Sequence, residues 1–168
     1  AMAGLTEARG PGSDSFWSWR ELMYVLLDEM KPEHLEAIAA LTYKEMLESG
    51  YASVGEFHYL HNDPKGTPYA QAGEMSERIV RAARTSGIGL TLLPVRYSQG
   101  GADGRPTGDG QRRFATSETG FANIMESASQ AVRTLGPDAR LGVAPHSLRA
   151  VGVDALAALI EQYGDGPI

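Results

Sequence analysis

The spacing of apolar residues changes period several times along the chain, and each change marks a new element. Between Phe16 and Met30, the residues Leu22, Met23, Leu26, Leu27 and Met30 recur at helical spacing. Pro32 then opens a second helix, at a position where its missing N–H costs nothing. Leu35, Ile38, Ala39, Thr42 and Met46 form the predicted buried face of that helix, and Gly50 ends it. Tyr51 to Tyr59 reads as a strand, bounded by Gly50 and by the turn residues Asn62-Asp63-Pro64. Met75 to Ser86 reads as a helix closed by Gly87. Ile88 to Val95 is a nearly all-apolar strand, the pattern of a strand buried on both faces. A Gly-rich loop over residues 98–110 follows. Phe121, Ile124, Met125, Ala128, Val132 and Leu135 then mark another amphipathic helix, stopped by Gly136-Pro137. Arg140 to Pro145 is a third strand, and Val153 to Tyr163 a last helix with Leu156, Leu159 and Ile160 inward. Residues 1–14, rich in Gly and Ser, read as loop.

Strands alternating with helices predict a parallel sheet covered by helices. Two architectures satisfy the order: a doubly wound sheet and a (βα)8 barrel. No Gly-x-Gly-x-x-Gly and no phosphate loop follows any strand, which weakens the nucleotide-binding form of the first.

The 168 residues suit one domain, and 42% apolar with 21% charged residues is ordinary globular composition. A net charge of −6 argues against a nucleic-acid or anionic-membrane partner. Arg112-Arg113 is too short to be a basic footprint, although one or two placed arginines can still hold a small anion. There is no cysteine, so disulfides, thiolate metal sites and cysteine nucleophiles drop out together, in keeping with a cytoplasmic protein. No apolar run has the length to span a bilayer. The chain opens on Ala1, and Ile168 reads as the first residue of an apolar strand, so an excerpt from a longer sequence is expected.

Chemistry gathers at the strand ends, where ligands bind in α/β folds. The first strand ends Glu56-Phe57-His58-Tyr59 with His61 beyond, the second runs into Arg96-Tyr97, and the third into His146-Ser147-Leu148-Arg149. A buried Glu56 must be paired or protonated, and it reads equally as a structural hydrogen-bonding group of a barrel interior or as a functional one. His58 and His61 are three apart, but strand turning into loop does not put both on one face, so core or loop histidines are the default over a metal pair. His146 and Arg149 form a pair within one turn, suited to a carboxylate or a polarised carbonyl; the bland alternative is a salt-bridged loop. Arg20, between Trp17-Ser18-Trp19 and Glu21, reads either as a stacked structural arginine or as an anion fork.

Four segments carry a resemblance to a known family: Phe16 to Tyr24 (FWSWRELMY), Gly50 to Leu60 (GYASVGEFHYL), Gly110 to Phe114 (GQRRF) and Gly142 to Val151 (GVAPHSLRAV). Together with the opening Ala-Met-Ala-Gly-Leu-Thr, they resemble the formimidoylglutamate deiminases of the amidohydrolase superfamily, in order and over essentially the whole chain. Ala-Pro-His alone is shared with other deaminases and chlorohydrolases of that superfamily. The resemblance implies a (βα)8 barrel with a β-sandwich built from both termini. It also implies hydrolysis of N-formimino-L-glutamate to N-formyl-L-glutamate and ammonia in histidine breakdown. One divalent metal, zinc as a rule, would activate the water. By resemblance Arg20, Tyr59 and Arg149 hold the two carboxylates of a small dicarboxylate substrate, and His146 acts near the formimino end as the catalytic residue of this segment. No metal ligand is expected here: the family's His-x-His lies before the residue matching Ala1, and its later metal and catalytic residues lie beyond Ile168. Residues 1–168 would thus be an internal part of the barrel domain, with about strands two to four and their helices. The first strand, the fifth to eighth and the β-sandwich would be absent, the isolated piece inactive, and the full-length protein a homodimer. Gln99 stands where relatives often have His, and Gly152 where a capping Thr or Ser is common. A fragment of a guanine- or cytosine-type deaminase, or of a chlorohydrolase-like relative, and a non-catalytic α/β binding module remain as alternatives.

Overall fold

A computed structural model describes residues 15–168, and of Trp17 the backbone only. The loop expected over residues 1–14, and its Ala-Met-Ala-Gly-Leu-Thr resemblance, lie outside the described residues, as does the Trp17 ring.

The first helix, α1 (Phe16–Asp28), begins where Ser15 and Ser18 cap each other's backbone N–H, at 3.2 and 2.9 Å. The second, α2 (Pro32–Glu48), has Pro32 in its first turn as expected, and Gly50 takes the left-handed conformation at φ +92° just past its end. Strand β1 (Ser53–His58) follows, then α3 (Glu74–Ser86), which Gly87 closes at φ +82°. Strand β2 (Gly89–Arg96) leads through a short 3-10 turn at Asp109–Gln111 to α4 (Glu118–Val132), started by the Ser117 hydroxyl. The third predicted strand forms two pieces, β3 (Ala139–Leu141) and β4 (Ala144–Pro145), and α5 (Val153–Tyr163) closes the order. Between the pieces the Gly142 N–H still bonds the Leu92 carbonyl of β2, while that of Val143 turns the other way, to the Pro167 carbonyl.

All pairings between the strands of the described residues are parallel. Ser53–His58 lies beside Gly89–Pro94, Leu90–Leu92 beside Ala139–Leu141, and Val95-Arg96 beside Ala144-Pro145. Sequence order equals spatial order. One face of this sheet carries the core: Leu90 and Leu92 pack with Ala39 and Tyr43 of α2, Ile79, Val80, Ala82 and Ala83 of α3, and Ala128 and Val132 of α4. Val143 extends that face to Phe121, Met125 and Leu159. Side chains alternate across a strand, so the intervening residues of β1, Ser53, Gly55 and Phe57, fall on the opposite face and are exposed, Phe57 to 43%. Helices on one side and an open second face are what an arc of a barrel presents; a doubly wound sheet carries helices on both faces. The both-face burial predicted for the second strand is therefore met on one face only: Thr91 and Leu93 are half-buried.

Two core assignments also change. Ile160, expected inward together with Leu156 and Leu159, is 46% exposed, while Leu159 is buried as expected. Tyr43, absent from the predicted face of α2, is 2% exposed, since its hydroxyl finds the Glu56 carboxylate at 2.6 Å.

Candidate active-site wall

The carboxyl ends of the strands converge with α1 on an open cavity of about 250 Å³. Arg20, Tyr59, His146 and Arg149, the residues singled out in the sequence, all line it. Tyr97, expected at a strand end but given no role, lines it as well, and so do Tyr24 and Phe114, which lie in the resembling segments without an expected site role.

His146 is placed by backbone pairing: its N–H bonds the Arg96 carbonyl at 3.2 Å, one residue beyond β4. Beyond it the chain turns, the Ala150 and Val151 N–H groups both bonding the Ser147 carbonyl at 2.9 Å. Three rings surround the imidazole, with centroids at 4.7 Å (Tyr97), 5.6 Å (Tyr59) and 5.9 Å (Phe57). The Ser147 hydroxyl lies 3.1 Å from Nδ1. Burial, and then the Arg149 guanidinium, push the His146 pKa below the ordinary imidazole value, so the ring is neutral at pH 7. The Tyr59 phenol is pushed up by burial and by Tyr24 and Tyr97, so it remains a proton donor.

Arg149 is exposed, and among the described residues no carboxylate lies within ion-pair distance of it. Its loop is tied back to the end of β2: the Ser98 and Gln99 N–H groups bond the Ala150 carbonyl at 2.8 and 3.0 Å. The Gln99 amide donates to the Gly101 carbonyl at 3.0 Å and approaches that of Arg149. A Cβ at Gly152 would stand 3.2 Å from the Gln99 amide oxygen, so the two departures from the family pattern occupy one place. The Arg20 guanidinium lies 5.3 Å from the Tyr24 ring centroid.

The Gly110–Phe114 segment holds the cavity's walls together. A Cβ at Gly110 would run into the Tyr24 ring. Gln111 Nε2 donates to the Tyr97 hydroxyl at 2.6 Å. Arg112 pairs with Asp28 of α1 at 2.7 Å and donates to the Pro64 carbonyl at 2.6 Å. Arg113, 2% exposed, donates to the carbonyls of Leu27 and Asn62 and reaches the Tyr69 hydroxyl. Phe114 contacts the rings of Tyr24, Tyr59 and Tyr97. The paired arginines are thus internal ties, the alternative to the surface footprint that their charge invites.

Other candidates lie elsewhere. Glu56 is a structural hydrogen-bonding group, accepting from the Tyr43 hydroxyl, but it points to the helix layer rather than the barrel interior; burial raises its pKa. Arg96 turns the same way, toward the Thr116 hydroxyl at 2.7 Å and the Phe121 ring. His58 and His61 are fully buried edge to face at 5.5 Å, with pKa values lowered to about 3 and about 4, chiefly by burial. His61 Nε2 donates to the Val95 carbonyl at 2.9 Å, and no group of three or more ligating side chains gathers among the described residues. These residues do not fit a metal ion. His58 Nε2, buried without a polar partner, stands alone rather than aimed with others at a common point.

The chain is 46% identical over 160 residues to formimidoylglutamate deiminase of Pseudomonas aeruginosa, which covers 95% of this chain and 35% of that protein. A crystal structure of an amidohydrolase from Brucella melitensis superposes with a TM-score of 0.93 at 51% identity, over 99% of this chain and 37% of that one. The chain matches one segment of a formimidoylglutamate deiminase and folds as a part of an amidohydrolase barrel does. It spans about a third of the length of these relatives. No family model matches it. The amidohydrolase likeness settles the choice between the two architectures: the sheet is a partial (βα)8 barrel of three consecutive parallel strand positions, the third in two pieces.

Proposed function

We propose that this chain supplies the substrate-holding wall of a metal-dependent hydrolase that converts N-formimino-L-glutamate and water to N-formyl-L-glutamate and ammonia. The observation that carries the reading is the convergence of Arg20, Tyr59, His146 and Arg149 on one cavity. Two guanidinium groups and a phenol form a donor set for two carboxylates, and among the described residues no carboxylate lies within ion-pair distance of Arg149. A neutral nucleobase has no use for that charge, which disfavours the guanine- or cytosine-type alternative.

Each residue acts within its protonation state. Arg20 and Arg149 fix the ends of the substrate, and Tyr59 donates a hydrogen bond. His146, neutral and held by its ring neighbours, hydrogen-bonds the formimino group and keeps it oriented while the C=N bond is replaced by C=O. The divalent metal that the resemblance implies finds no group of three or more ligating side chains among the described residues. Cytoplasmic location and a homodimeric full-length protein belong to the same proposal. No helix among the described residues is long and apolar enough to cross a membrane.

The test is turnover by the full-length protein carrying this segment. Release of ammonia from N-formimino-L-glutamate, with none from guanine or cytosine, is the expected result. Turnover of a neutral base and none of the formimino acid would contradict the reading.

A further inference from the structure

Two residues outside the expected substrate contacts form a continuous path to the His146 ring. Tyr97 is 4% exposed, and its ring meets His146 at 4.7 Å with the planes at 62°. That is the shortest of the three ring contacts around the imidazole. The phenol oxygen is fixed at its far end by Gln111 Nε2 at 2.6 Å. Gln111 is itself 8% exposed, and its Oε1 accepts the Gly108 N–H at 2.8 Å, which orients its amide. Both its amide groups are thereby used, within the 3-10 turn Asp109–Gln111.

We propose that Tyr97 and Gln111 are positioning residues for His146: the Gln111 amide holds the Tyr97 phenol, and the Tyr97 ring holds the imidazole edge-on and shields it from water. The proposal rests on the role given to His146 in the deiminase reading. An edge-to-face pair fixes both the distance and the tilt of an imidazole. Small errors in the placement of a reacting group slow the chemical step far more than they weaken binding. Ser147 engages Nδ1, leaving Nε2 as the nitrogen presented to substrate. The ionisable and charged groups around the imidazole are Tyr59 from the end of β1, Tyr97 from the end of β2, and Arg149 from its own loop, with Arg20 and Tyr24 of α1 across the cavity. Of these, Tyr97 is the one anchored through its hydroxyl to a buried side chain, which suits it to position another group.

The experiment uses the full-length protein with 13C-labelled histidine, the His146 signal being assigned by its loss in His146→Asn. Tyr97→Leu removes the ring; Tyr97→Phe and Gln111→Leu keep a ring but cut the anchor. In Tyr97→Leu the His146 signal is expected to shift and to titrate closer to the ordinary imidazole range. In the same variant kcat for N-formimino-L-glutamate should fall by about tenfold, with KM changed by less than about twofold. Tyr97→Phe and Gln111→Leu should give smaller losses of kcat in the same direction. An unmoved His146 signal and titration in folded Tyr97→Leu, or equal losses through KM alone, would overturn the proposal while leaving the deiminase reading intact. A wild-type protein inactive on the formimino acid, whose His146 still responds to Tyr97→Leu, would overturn that reading and support the positioning.

Discussion

At the scale of single residues, the strand ends separate chemistry from structure by the face on which each side chain falls. Tyr59 and His146 turn into the cavity, whereas Glu56, His58 and Arg96 turn to the helices. The two buried histidines give a directional expectation. Their folded pKa values, about 3 and about 4, lie below the unfolded value, so the unfolded chain takes up protons first as pH falls. Their contribution is intact above about pH 6.5. It drains as pH falls toward the folded values, by up to about 1.4 kcal/mol per histidine for each pH unit. Thermal midpoints of the full-length protein at pH 7.5 and 5 should therefore differ, and His58→Phe should flatten the difference. A midpoint with the same pH slope in His58→Phe would contradict this. The sequence showed the histidines and their spacing but not their environment. Whether two residues three positions apart at a strand end share a face depends on where the strand stops, and β1 stops at His58, so the two rings meet in the interior.

Among the elements, helices were legible because glycine and proline punctuate them for a local reason. Pro32, Gly50 and Gly87 occupy the first-turn or post-terminal positions read from the chain. The cap on α1 was not read, because Ser15 and Ser18 look like any polar pair until both bonds are seen. The Gly110–Phe114 segment is legible as a motif but not as a clasp, since its hydrogen bonds to Tyr97 and Leu27 span 14 and 86 residues of sequence. The third strand was read as one and forms two, because the N–H of Val143 leaves β2 for Pro167. The clasp makes a definite expectation. Gly110→Ala pushes a methyl into the Tyr24 ring, and should cost about 1–3 kcal/mol of stability. It should also raise KM for the formimino acid, because Tyr24 carries Arg20. Denaturant melts and initial rates check both effects, and a fully stable variant with unaltered KM would remove the clasp from the account.

For the molecule as a whole, the helix-facing side of the sheet is packed and the other side is not. Phe57 is 43% exposed on the open face of β1, with Ser53 and Gly55 beside it. Unpaired strand edges and an exposed apolar face favour self-association. The 168-residue polypeptide by itself should be poorly soluble or molten, and without deiminase activity. A monodisperse monomer that melts cooperatively and turns over substrate would contradict that. Alternation of strand and helix made the parallel sheet readable. Periodicity alone leaves barrel and doubly wound sheet open, since the choice depends on whether the second face is covered; the resemblance carried by the four segments implies the barrel, and the amidohydrolase likeness bears it out.

If this wall recognises carboxylates, loss of the Arg149 guanidinium should show it. Initial rates of the full-length protein on N-formimino-L-glutamate should be compared with those of Arg149→Met. The account predicts that KM rises by about tenfold or more, with kcat changed much less, because a guanidinium–carboxylate contact remote from the reacting carbon is lost. An unchanged KM would contradict it, and would return the segment to a hydrolase acting on a neutral substrate.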